Sequence, residues 1–148
     1  MAEVKYESKI AQSTQSADAI YSVASNLTSL NLVKDHIPQD KISDIQLTPD
    51  TISFKLDGLG QKLCMRIIER EPLKTIKLTV DNSPFPITLW LQIKQIAPAD
   101  TRLKATIKTD LPLMFKMMVA NKIQPALDQA IDMLAQMPFE QWKEQTNL

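Results

Sequence analysis

One cysteine, one histidine and two glycines among 148 residues leave little from which to build most kinds of site. A lone thiol, Cys64, excludes an internal disulfide. The lone imidazole, His36, lies in another segment, so there is no Cys/His cluster of zinc-ligand spacing. A G-x-S-x-G elbow, a Gly-rich phosphate loop and a dense acidic loop for Mg²⁺ or Ca²⁺ are all missing. No metal and no cofactor is therefore expected. Charge of one sign is missing too: 17 basic and 17 acidic residues cancel, and without a Lys/Arg block nucleic acid is not an expected partner. The longest apolar run, Leu111 to Ala120, is interrupted by Lys116 and falls short of the roughly 20 residues that a membrane span needs. Met1 to Ser13 has no apolar h-region, so neither secretion nor transit is indicated and a cytoplasmic location is the expectation.

What the chain does have is alternation. Val4, Tyr6, Ser8 and Ile10 alternate with Lys5, Glu7 and Lys9, a period-two strand with one polar face. Ser13 to Ser16 breaks it and offers a helix cap. Ala17, Ile20, Tyr21, Val23, Ala24 and Leu27 then recur at helical spacing, and Leu30 to Val33 reads as a second short helix ended near Pro38. Six further strands follow, marked by Ile45-Leu47, Ile52-Phe54-Leu56, Leu63-Met65-Ile67, Ile76-Leu78-Val80, Leu89-Leu91-Ile93 and Leu103-Ala105-Ile107. Pro49-Asp50 and Asp57-Gly58-Leu59-Gly60 supply turns. So many half-polar strands predict an antiparallel sheet with one wet face.

The last long pattern is helical, from Leu113 to about Met137. Ile123, Leu127, Ala130, Ile131, Leu134 and Met137 form one apolar stripe, and Pro125 within it predicts a kink in one helix, since the stripe continues in phase. Asp110 is placed to cap its start and Pro138 to stop it. Leu113, Met114, Phe115, Met117, Met118, Val119 and Ala120 are apolar nearly all round, which predicts that this end is enclosed on more than one side. The expected fold class is α+β: a seven-stranded curved antiparallel sheet, two short helices after strand 1 and one long C-terminal helix. One domain over 1–148 is expected, with a core over about 4–137 and a tail over 138–148.

That element order, with the segment Ala19-Ile20-Tyr21-Ser22-Val23-Ala24-Ser25-Asn26-Leu27 as a first-helix pattern, resembles the START-like helix-grip superfamily that includes the birch-pollen allergen and the polyketide cyclase/dehydratase proteins. Tyr21 stands where Trp or Phe is usual, and Asn26 where Asp is. The resemblance implies a sheet gripping the long helix around a cavity for a hydrophobic molecule such as a lipid. It implies no single chemistry, because transport proteins, cyclases and adaptors share such folds.

Polar residues at apolar-face parity are the best pointers to a site, since burying one unbonded costs about 1 to 3 kcal/mol. Tyr6, Ser8, Glu69 and Thr109 hold such positions. Backbone bonding or edge solvation accounts for them before ligand orientation does. His36 reads as a surface or capping histidine before a general base, and Met114, Met117 and Met118 as core filler slightly ahead of ligand contacts. Trp90 falls on the outer face over Lys or Arg stems. Phe139 and Trp142 either pack back on the body or anchor a partner, with packing back favoured.

The expected function is binding or transport of a small hydrophobic molecule in a cavity lined by Tyr6, Ser8, Phe54, Met65, Ile107, Met114 and Met118, with no residue given a catalytic role. A cyclase or dehydratase on the same cavity, for which Tyr6, Ser8, Glu69 and His36 are the candidates, and a filled-core interaction module are the competing readings. A homodimer is left open.

Overall fold

A computed structural model of the chain describes residues 2–32, 42–56, 62–83 and 85–146. The expected sites at His36 and the Asp57 to Gly60 turn lie outside these residues. The strands are β1 Ala2–Glu7, β2 Ala11–Ser13, β3 Ile42–Leu47, β4 Thr51–Leu56, β5 Lys62–Glu71, β6 Thr75–Asp81, β7 Ile87–Ala97 and β8 Asp100–Leu111. Helix α1 is Ala17–Ala24, followed by a 3₁₀ helix Leu27–Leu32. Helix α2 is Leu113–Ala135 and α3 is Phe139–Thr146. All strand pairs are antiparallel, in the order β1-β8-β7-β6-β5-β4-β3, with β2 also on β8.

The expected first strand, Val4 to Ile10, is in fact two. Glu7 pairs with Thr106 and Ala11 with Leu103, so this side of the ladder holds one residue more than β8 does. Ser8 absorbs the surplus. Its N–H donates to Ala105 O and its Oγ accepts from Ala105 N–H, each at 2.8 Å, while the hydroxyl donates to Lys9 O at 2.7 Å. One extra residue reverses the alternation, so Ala11 and Ser13 turn inward and Ile10 is left exposed. The backbone groups freed at the break are taken by the polar edge of α2: Gln124 Nε2 donates to Glu7 O at 2.6 Å, and Lys9 N–H donates to Asp128 Oδ1 at 2.7 Å.

A second bulge does the same in β5. Ile67 pairs with Leu78, but Glu69 pairs with Lys77, which faces outward opposite Trp90. The expected inward Glu69 therefore faces out, and Arg70 takes the inner side opposite Ile76. There its guanidinium donates to Ser25 O at the C-terminus of α1, to Pro49 O and to Asp50, tying the helix to the β3–β4 hairpin.

Ser16 caps α1, with Ala19 N–H donating to its Oγ. Asp110, expected to cap α2, remains in β8 opposite Glu3, and one of its carboxylate oxygens is buried with no partner among the described residues. Pro112 holds the capping position, with no side-chain bond. Helix α2 runs unbroken through Pro125. Its second half enters the main core, where Ile131 and Ala135 join Ala11, Ile20, Ile93 and Leu103. Phe139 and Trp142 enter the same cluster, edge to face at 5.8 Å, so the core extends past residue 137 into what was expected to be a tail. The start of α3 is locked to the start of α1: Ser16 N–H donates to Glu140 Oε1, Glu140 N–H donates to Gln15 Oε1, and Lys143 pairs with Asp18.

The first half of α2 corrects the sequence reading. Leu113, Met114, Met117 and Met118 are 65%, 73%, 72% and 63% exposed, and Phe115 is also exposed. Apolar residues around a whole helix imply enclosure only if other elements reach it. Helix α2 packs on β1, β2 and β8, and among its described side chains the first buried one is Leu127.

Candidate ligand-binding site

A cavity of about 240 Å³ lies where α1, the 3₁₀ helix, the inner face of the sheet, the end of α2 and α3 converge. Val23, Ala24 and Leu27 form one wall. Met65, Ile76, Leu78, Leu89, Leu91 and Ala105 form the sheet wall, and Leu134, Met137, Phe139 and Trp142 close the side. The sheet residues share a face because their pairs do: Leu78 lies opposite Leu89, Ile76 opposite Leu91, and Leu91 opposite Ala105. Phe139 and Trp142, three apart on α3, fall on one helical face. Ala24 and Ala105 leave space where larger side chains would fill it.

Ser29 is the one polar side chain among the described lining residues that is not aromatic, and it is buried. The described lining carries no acid, base, histidine or cysteine. Shifted ionisable groups lie instead on the outer face. Hydrogen bonding from Lys104, then from Lys5, holds the Glu7 carboxyl below its ordinary range, with Lys104 Nζ 2.8 Å away. Arg66 and Arg102 are raised by their bonds to Asp81 and Asp100. Among the described residues, no three of His, Cys, Asp or Glu gather as metal ligands.

Of the residues expected to line a cavity, Met65 stands in this wall. Tyr6 and Ile107 are cross-strand partners at the β1–β8 side, and Phe54 pairs with Leu63 in β4 and β5. All three are half-buried and lie outside this lining. Ser8 is buried, with its hydroxyl engaged by backbone. Thr109 likewise donates to Pro86 O at 2.7 Å. Met114 and Met118 lie on the surface, because the first turns of α2 stand away from the core. Trp90 carries Lys77 Nζ 5.5 Å from its ring centroid, and it borders both this cavity and a shallow groove with Lys5, Gln92, Thr106 and Lys108. The cavity thus lies at the end of α2, whereas the sequence pointed to its start. The in-phase run to Met137 and the Phe139/Trp142 spacing were the signals for it; the contribution of Val23, Ala24 and Leu27 needed the fold.

No family model matches the sequence, and no curated protein matches it. Solved structures do match in fold. A START superfamily protein from Mycobacterium smegmatis is similar with a TM-score of 0.60 and 14% identity, over 90% of this chain and 96% of that one. Norcoclaurine synthase from Thalictrum flavum, in complex with dopamine and hydroxybenzaldehyde, gives 0.69 and 13% over 90% and 85%. Ara h 8.0201 gives 0.59 and 13% over 88% and 96%. The chain has the START-like, birch-pollen-allergen-like helix-grip fold, as the first-helix pattern and element order predicted. No helix among the described residues is long and apolar enough to cross a membrane.

Proposed function

We propose that this protein binds or carries a small hydrophobic molecule in the cavity between α1, the sheet and the α2–α3 corner, in a cytoplasmic setting. The observation that carries the reading is the cavity itself: about 240 Å³ of space with an almost wholly apolar wall. Its volume is below the roughly 300 to 1,000 Å³ usual for ligand pockets, which favours a compact occupant, one or two rings or a short acyl chain. Ser29 offers a single hydroxyl, suited to a ligand with one hydrogen-bonding group. Desolvation drives the binding, at roughly 25 cal/mol per Å² of apolar area before ordering costs. The fold of norcoclaurine synthase holding dopamine and hydroxybenzaldehyde supports a compact aromatic guest. A wall without acid or base among its described residues favours carriage over proton-transfer chemistry.

Filling the space tests this. Ala105→Phe should abolish binding of a fluorescent naphthalene probe while leaving the melting temperature close to wild type. Wild-type protein that binds no probe, together with a strongly destabilised Ala105→Phe, would mark the region as packed core.

A further inference from the structure

The first turns of α2 place Leu113, Met114, Met117 and Met118 in water, with Phe115 beside them. The Phe115 ring packs 5.4 Å from that of Phe85, so the segment after β6 braces the patch. From Leu113 to Leu127 the only charged residues are Lys116 and Lys122; the first acid is Asp128. Neither lysine forms an ion pair with a described residue.

We propose that this end of α2 docks the protein on a lipid bilayer that carries anionic headgroups. A bilayer interface offers what the patch requires, an apolar layer for Leu113, Met114, Met117 and Met118 beneath a plane of negative charge for the lysines. Helices that lie in an interface bury their apolar face about 5 to 10 Å deep, and lysine stems reach back to the headgroups. A second copy fits the patch less well, because it would bring the same two cations and no acid from this part of the helix. The docking is peripheral, consistent with α2 being too polar overall to cross a bilayer. It requires no cavity and stands apart from the ligand-binding reading.

The test is co-sedimentation of the full chain with phosphatidylcholine vesicles, with and without phosphatidylserine. Wild type should bind the anionic vesicles more tightly, and raised salt should weaken that binding. Leu113→Gln/Met117→Gln should lose at least about tenfold in vesicle affinity. Lys122→Gln should lose about fivefold on phosphatidylserine vesicles and nothing on phosphatidylcholine alone. These side chains are exposed, so both variants should keep the wild-type circular dichroism and melting temperature. Absence of wild-type binding, or equal binding by the double variant, overturns the proposal. So does a wild-type dimer in sedimentation equilibrium that the double variant loses, since that assigns the patch to a second copy.

Discussion

Leu113 to Met118 and Leu127 to Ala135 belong to one helix, yet the first stretch, richer in large apolar side chains, lies in water while the second closes the core. The second half meets β2, β8, α1 and α3, and Ile131 is fully buried among residues from all of them. In the first half, Leu113, Met114, Phe115, Met117 and Met118 all remain exposed. Apolar content sets how much burial is worth, and the arrangement of neighbouring elements decides whether it happens. The same contrast separates the two candidate functions: an apolar cavity at one end of α2 and an interfacial face at the other.

Truncating the two ends should therefore give opposite results. Ile131→Ala should cost about 2 to 5 kcal/mol in denaturant unfolding, through lost transfer energy and the cavity left behind. Met117→Ala should stay within about 0.5 kcal/mol of wild type. Comparable costs at both sites would mean that the helix start is packed after all. A smaller effect is expected at the β1–β2 break. Ser8→Ala removes the acceptor of Ala105 N–H and should cost about 1 to 3 kcal/mol. A cost near zero would show that water replaces the hydroxyl there.

The smallest effect belongs to Glu7, whose carboxylate bonds Lys104 and Lys5 on the outer face. Its folded-state pKa is lowered, so the stability it adds is present above the unfolded-state value and is lost as pH falls through the folded-state one. The melting temperature of wild type and Glu7→Gln should differ slightly at neutral pH and converge below the ordinary carboxylate range. Because the pair is exposed, salt should shrink the difference. Curves that diverge as pH falls would contradict this sign.

The alternation that runs from Leu63 to Ile107 made the sheet legible, and the cap at Ser16 and the stripe from Leu127 to Met137 made the helices so. The misplacements share a cause. Single-residue bulges at Ser8 and between Ile67 and Glu69 invert parity without leaving a mark in the hydrophobic pattern, which is why alternation alone puts Ile10 and Glu69 on the wrong face. The site was less legible than the fold. Met65 could be placed because it obeys strand parity, whereas Leu134, Phe139 and Val23 meet only through the docking of three helices. Met114 and Met118 misled because helical periodicity records a face and not what stands opposite it.

Methionine methyl NMR separates the two ends of α2 in one titration. Met65 and Met137 line the proposed cavity, while Met114, Met117 and Met118 lie on the exposed start of the helix. With ε-¹³C-methionine protein and a naphthalene probe, the Met65 and Met137 methyl resonances should shift and show contacts to the probe, and the three surface methyls should not. Saturable shifts confined to Met114, Met117 and Met118, with Met65 and Met137 unmoved, would contradict the placement of the binding site.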